Sequence, residues 1–135
     1  MTISIAIYAA MAAASFNLNC TGLIESESVE NGKKVEPFST TFRIDLTSKQ
    51  WCEGECASTR DIVRFDDVSI TFQADNTGSG LPHMYNRMSY IRGTPTGHFS
   101  EFRTSTPDRE HIYFFTREAR CTEGPFTGFG KVPAT

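Results

Sequence analysis

The sequence predicts an all-β domain: an antiparallel meander of about seven or eight strands, forming a small barrel or a two-sheet sandwich and stabilised by two disulfides. Three observations predict it. Apolar residues recur at alternate positions through most of the chain, the period of a half-buried strand. The apolar runs are separated by short Asn-Gly, Asp-Asp, Gly-Thr-Pro-Thr-Gly and Thr-Pro-Asp-Arg stretches of the kind that make hairpin turns. Four cysteines, an even number in a chain of 135 residues, read as a disulfide framework. Links of hairpin length throughout favour the barrel-like meander over a Greek key.

The length suits one domain and leaves no room for a second. With 39% hydrophobic residues and 11 Phe, the chain has enough bulky material for a packed core. The formal net charge is −3, and Lys and Arg are scattered singly among acidic and hydroxyl residues, so no basic patch is available for nucleic acid.

Residues 1–14 carry an uncharged apolar run, Ile3 to Tyr8, followed by small residues ending at Ala14. This predicts a secretory signal peptide without the usual basic start, and residues 15–135 as the single β domain. The run is shorter than the roughly 20 apolar residues that span a bilayer, so no transmembrane segment is predicted. Asn19 before Cys20 is not the small residue that lipoprotein processing requires.

The first strand begins at Phe16, with Phe16, Leu18 and Cys20 on one face and Asn17, Asn19 and Thr21 on the other, and its clean alternation stops at Gly22. The polar, acidic segment 24–35 contains Asn31-Gly32, a hairpin turn in which both positions tolerate positive φ. The clearest strand comes next, with Phe38, Thr40, Phe42, Ile44 and Leu46 facing one way, and it delivers the chain to Trp51. Residues 61–65 and 68–72 are short β-rich runs divided by Asp66-Asp67, a tight turn or a bulge, with Val68, Ile70 and Phe72 expected to face inward. A loop is predicted over 74–82. Strands are predicted over 84–92, with Met84, Met88 and Tyr90 on one face, and over 99–104 and 111–116. The aromatic tail from Gly124 to Gly130 is expected to fold back so that Phe126 and Phe129 cover the core.

Four cysteines allow three pairings. Cys52 and Cys56 enclose three residues, and Gly54 allows a turn tight enough for their Cα atoms to approach within about 7 Å. That leaves Cys20 with Cys121, near the first and last strands, as a staple across the seam of a closed meander. A metal site at Cys-x3-Cys would need a second close pair of ligands, which the sequence lacks. A redox role would need two intervening residues and a neighbourhood that lowers the thiol pKa, whereas Glu53 and Glu55 raise it.

His83, His98 and His111 fall in separate segments without the spacing of metal ligands, so no metal and no cofactor is predicted. The carboxylate pairs Asp66-Asp67 and Glu53/Glu55 read as acidic turn residues, and no nucleophile elbow, zinc-protease, P-loop or dinucleotide motif occurs. No catalytic residue is assigned. The strand bearing Arg87, Tyr90 and Arg92, with Trp51, is the candidate ligand-reading surface.

The set Phe16-x-Leu18-x-Cys20-x-Gly22, Phe42-x-Ile44-x-Leu46 leading to Trp51-Cys52-x3-Cys56, Asn86-Arg87, and Cys121 with Pro125-Phe126-Thr127-Gly128-Phe129 resembles a group of short, uncharacterised exported proteins from proteobacteria. The resemblance implies export and a compact disulfide-bonded β fold, and transfers no catalytic residue. The expectation is a periplasmic or extracellular, non-enzymatic binding or structural domain whose partner is a small ligand, a protein or an envelope component. The alternative is a small periplasmic enzyme or an enzyme inhibitor.

Overall fold

The computed structural model describes residues 14–130, so the predicted signal peptide lies, but for Ala14, outside the described residues. All the described secondary structure is β, in nine strands: β1 Ser15–Ser28, β2 Gly32–Asp45, β3 Gln50–Glu53, β4 Arg60–Asp61, β5 Arg64–Phe65, β6 Ser69–Asn76, β7 His83–Ile91, β8 Gly97–Thr106 and β9 Tyr113–Gly124. They form one antiparallel sheet in the order β4-β3-β2-β1-β9-β8-β7-β6-β5, curled into a half-barrel. The expected meander is present; the count rises to nine because the segment after the cysteine turn supplies two strands of two residues each.

Among the described strands, the one pairing that joins distant parts of the chain is β1 with β9, from Asn17↔Gly124 to Ser28↔Tyr113. Cys20 and Cys121 stand directly opposite each other in it and form the seam disulfide, with Cα atoms 4.1 Å apart. Cys52 is bonded to Cys56. Two strands run further than the alternation suggested. β9 carries Cys121 inside it rather than beyond it, and β1 continues to Ser28. Over residues 22–28 the alternation persists in accessibility although Gly22, Ser26 and Ser28 hide it from a hydrophobicity pattern. Gly22 is required where it stands: a Cβ there would lie 1.8 Å from the Glu118 carbonyl oxygen of the neighbouring strand.

The β1–β2 hairpin turns at residues 29–31, with Gly32 at φ 68° as the Asn-Gly pair predicts. β2 pairs with β3 only over Phe42–Asp45, so its first ten residues form a sheet edge without a strand beside it. At the other end of the sheet, Asp66 resolves the turn-or-bulge question. Its carboxylate accepts the amides of Val68 and Ser69 at 2.9 Å each, and its own amide bonds to the Ser69 carbonyl, which makes a tight turn. Val68 therefore faces out and is 61% exposed, contrary to expectation, while Ile70 and Phe72 are buried with Thr71 at a bulge between Thr71 and Gln73.

The two ends of the sheet are adjacent in sequence. Between β4 and β5, the Ile62 amide bonds to the Lys49 carbonyl beside β3 and the Val63 amide to the Thr71 carbonyl on β6, so one short stretch ties both ends of the sheet. The curl brings rings from distant strands together. Phe42 lies 4.7 Å from Phe99 and 5.5 Å from Phe72 between centroids, and Trp51 lies 5.0 Å from Phe72. Leu18, Ile44, Ile70 and Tyr90 complete a core with no exposed surface at these positions.

The tail does not cover this core. Thr127 exchanges hydrogen bonds with Asn17, and the Gly128 carbonyl accepts from Arg43, both outward-facing residues, so Phe126 and Phe129 pack on each other across the convex face. The predicted strand over 84–92 has Met88 and Tyr90 buried, but Met84 is half exposed because it lies beyond the packed region.

The two disulfides differ in loop length by 101 against 4 residues of separation. By loop-closure entropy, replacing Cys20 and Cys121 with Ser costs about 4–5 kcal/mol, against about 2 kcal/mol for Cys52 and Cys56. Urea unfolding of the two double variants measures the contrast.

Candidate functional site

Beyond the aromatic core, a concave pocket of about 590 Å³ lies between the disulfide-closed loop after β3 and the inner face of β6, β7 and β8. Its size is that of a small-molecule site. Trp51, Cys52, Glu53, Glu55 and Cys56 form one wall with Arg60; Gln73, Asp75, Met84, Asn86 and Met88 form the other; Glu101, Arg103 and Arg117 also line it. The short disulfide thus shapes a pocket wall.

Strand alternation places the charged residues. Glu101 stands two residues after buried Phe99 on β8, and Arg117 two before buried Ala119 on β9, so both take inward positions that are otherwise apolar. Arg117 resolves the conflict by engaging all three of its guanidinium nitrogens. Nε donates to Glu101 at 2.6 Å, and Nη1 and Nη2 donate to the two carboxylate oxygens of Glu53 at 2.7 and 3.1 Å. Its guanidinium lies over Phe99, Phe38 and Phe42 at 5.3, 5.5 and 5.9 Å, where the charge meets the negative faces of the rings. Glu101, only 2% exposed, also accepts from Arg103 Nη2 at 3.0 Å. Glu53 accepts from the Thr40 hydroxyl at 2.8 Å.

These contacts set the ionisation. Burial pushes the Glu53 carboxyl up, but the hydrogen bonds and charge of Arg117, with Thr40 and Arg103, outweigh it and hold the carboxyl below the usual glutamate value. Burial likewise opposes the charge on Arg117, and Glu53 and Glu101 overcome it, raising its pKa further. Glu53 is thus held ionised, and both carboxylates are spent as hydrogen-bond acceptors, an arrangement that holds structure and shapes a binding surface.

Among the described residues, three buried side-chain polar atoms have no hydrogen-bond partner: Trp51 Nε1, Asn86 Oδ1 and Arg43 Nε. Two of the three belong to residues that line this pocket. Asn86 gives its amide nitrogen to Gln73 at 3.1 Å, leaving the oxygen as an unused acceptor, and the indole N–H is an unused donor.

The structure separates the four residues singled out from the sequence. Trp51 lines the pocket. Arg87 is exposed and alternates to the outer face, so the Asn86-Arg87 pair divides between pocket and exterior. Tyr90 is fully buried in the core, its hydroxyl donating to Glu123 at 3.4 Å. Burial first, and the Glu123 charge second, push the phenol far above its ordinary value and keep it neutral. Arg92 lies past the end of β7, with Nε and Nη2 on the two Glu123 oxygens at 3.1 and 2.7 Å and its guanidinium over Phe16. Tyr90, Arg92 and Glu123 form a separate cluster away from the pocket lining.

Sequence reasoning missed Glu101, Arg103 and Arg117 and read Glu53 as a turn acid. The signal was present: a charge in phase with an inward apolar register, at Phe99-x-Glu101 and Arg117-x-Ala119-x-Cys121. Of the histidines, His111 donates between Glu30 at 2.6 Å and Asp108 at 2.8 Å; the Asp108 hydrogen bond and charge raise its pKa. His83 bonds to Asn76 and His98 is exposed. Among the described residues, no three His, Cys, Asp or Glu side chains group so as to hold a metal ion, and no helix is long and apolar enough to cross a membrane.

Fold and site together define a small, disulfide-bonded, β-barrel-like domain with a polar-floored pocket on its concave side. No protein-family model, curated protein or solved structure matches the chain.

Replacing Arg117 with Met leaves Glu101 buried without its closest partner and is expected to cost roughly 3–5 kcal/mol in urea unfolding, whereas adding Glu101→Leu to it recovers part of the loss. The Glu53 shift has a defined sign. Because its folded pKa is lowered, its contribution is complete above the ordinary value of 4.5 and is lost as pH falls through the folded value. The stability gap between wild type and Glu53→Gln should therefore stay level above about pH 5 and narrow as the pH falls below 4.5, as denaturation midpoints measure.

Proposed function

We propose that this protein is an exported, non-catalytic binding domain and that the pocket beneath the Cys52–Cys56 loop holds a small-molecule ligand. One observation carries the reading: a concave site of about 590 Å³ whose floor is internally charge-compensated, yet whose lining residues Trp51 and Asn86 keep one buried donor and one buried acceptor unpaired. A buried polar group without a partner costs about 1–3 kcal/mol, and two of them in the lining of one pocket single that lining out from ordinary core. The carboxylates favour binding over proton transfer, since each is engaged by the Arg117 guanidinium. Two disulfides support an oxidising compartment, in keeping with the signal-like residues 1–14 and with the exported group that the sequence resembles.

Met84 lines the pocket but is half exposed, so Met84→Trp fills the site without disturbing the core. Native mass spectrometry after incubation with a small-molecule extract is expected to show a bound mass on the wild type and none on Met84→Trp, at unchanged melting temperature. Equal retention by both proteins, or none by either, refutes the pocket as a binding site.

A further inference from the structure

The charges of the pocket fall into two groups. Glu53 and Glu101 are paired with Arg117, and Glu101 also with Arg103, but four side chains that line the site, Arg103 among them, keep unused capacity. Arg103 gives one Nη2 bond to Glu101 and rests on the Phe115 ring, so its other donors meet no acceptor among the described residues. Arg60 is exposed and lies over the Trp51 ring at 5.8 Å, with no carboxylate partner among the described residues. Asp75 and Glu55 are exposed, and neither makes an ion pair or side-chain hydrogen bond among the described residues.

Each wall therefore offers an open carboxylate and open guanidinium donors: Asp75 and Arg103 on the sheet, Glu55 and Arg60 on the loop side. Register places Asp75 beside Asn86 and Asn86 beside Arg103 on three successive strands. Two strand spacings, about 10 Å, keep Asp75 and Arg103 from neutralising each other directly. Asn86, with its unpaired Oδ1, stands between them.

This arrangement discriminates by charge. A simple anion would bring its charge beside Asp75 and Glu55, and a simple cation beside Arg103 and Arg60; either meets repulsion. An apolar ligand would strip water from four charges and return nothing. A molecule with both charges meets both demands.

Resting on the reading of the pocket as a binding site, we propose that its ligand is a zwitterionic amino acid or short peptide. Its carboxylate is received by Arg103 and its ammonium by Asp75, while its side chain lies against Met84, Met88 and Trp51.

The test uses the full chain, calorimetry and the fluorescence of Trp51, the one tryptophan. The probes are L-leucine, L-leucyl-L-leucine, N-acetyl-L-leucine and L-leucinamide. Expected is binding of a zwitterion, with free amino acid and dipeptide told apart by their relative affinities. Removing either charge should weaken it roughly tenfold or more, the scale of one lost charge-assisted hydrogen bond. Asp75→Asn should weaken the zwitterion by a similar factor, and Met84→Trp should abolish its binding. Equal binding of capped and uncapped forms, indifference to Asp75→Asn, or no binding of any probe overturns the zwitterion assignment. The mass-spectrometric comparison with Met84→Trp then decides separately whether the pocket itself stands.

Discussion

The pairing of β1 with β9 is the constraint on which the rest of the molecule depends. Every other neighbour pair in the sheet is close in sequence and joined by a short connection, so those hairpins can form locally; β1 and β9 must find each other across most of the chain. Only when they do is there a single sheet to curl. The Cys20–Cys121 bond removes much of the entropy of that closure by tying together the two positions that face each other in the register. Close approach is part of the same seam, because Gly22 lets the backbone of β1 run against Glu118 and Ala119 where any side chain would collide.

Once the sheet curls, its concave side must be filled, and two kinds of material fill it. Aromatic rings from β2, β3, β6 and β8 close the middle. Next to them, ion pairs fill the remaining space: Arg117 lies on three phenylalanine rings and receives Glu53 and Glu101 on its polar edges, so one side chain belongs to the core by its face and to the pocket by its rim. That double role explains why the pocket has a rigid polar floor rather than a greasy one. It also explains how Glu101 is accommodated almost completely buried, with Arg117 and Arg103 on its carboxylate. The short disulfide fixes the facing wall, and with it the position of Trp51 relative to Met88.

The class of fold was legible because alternation is local and turn residues declare themselves. Phe16-x-Leu18-x-Cys20 and Phe38 to Leu46 needed no tertiary information, and both cysteine pairings followed from spacing. The sequence lost track of strands where small or polar residues took inward positions, as Gly22, Ser26 and Ser28 do in β1. It misplaced Val68 because an Asp66 side chain can rewrite two backbone hydrogen bonds that a hydrophobicity pattern does not see. The site was hardest to read. Arg87, Tyr90 and Arg92 look like one cluster along the chain, but odd and even positions of a strand face opposite ways, and a strand end redirects the residues beyond it. Glu101 and Arg117 face each other across the β8–β9 hairpin, and Glu53 joins them only through the curl, although inward register already marked Glu101 and Arg117 as charges with a job inside.

The open edge of β2 has its own consequence. Ten residues, from Gly32 to Thr41, lie beyond the reach of β3, and of their edge groups the Thr41 carbonyl is taken by the Gly54 amide. An open ladder of that length invites another chain to add a strand and begin an aggregate. Here the stretch holds Lys33 and Lys34, whose ammonium groups face water beside Glu25 and Glu36, and Pro37, which has no amide proton to offer. The long strand margin that the sheet leaves open is thus fitted with guards, three residues of a kind that discourages strand addition and that take no part in the core.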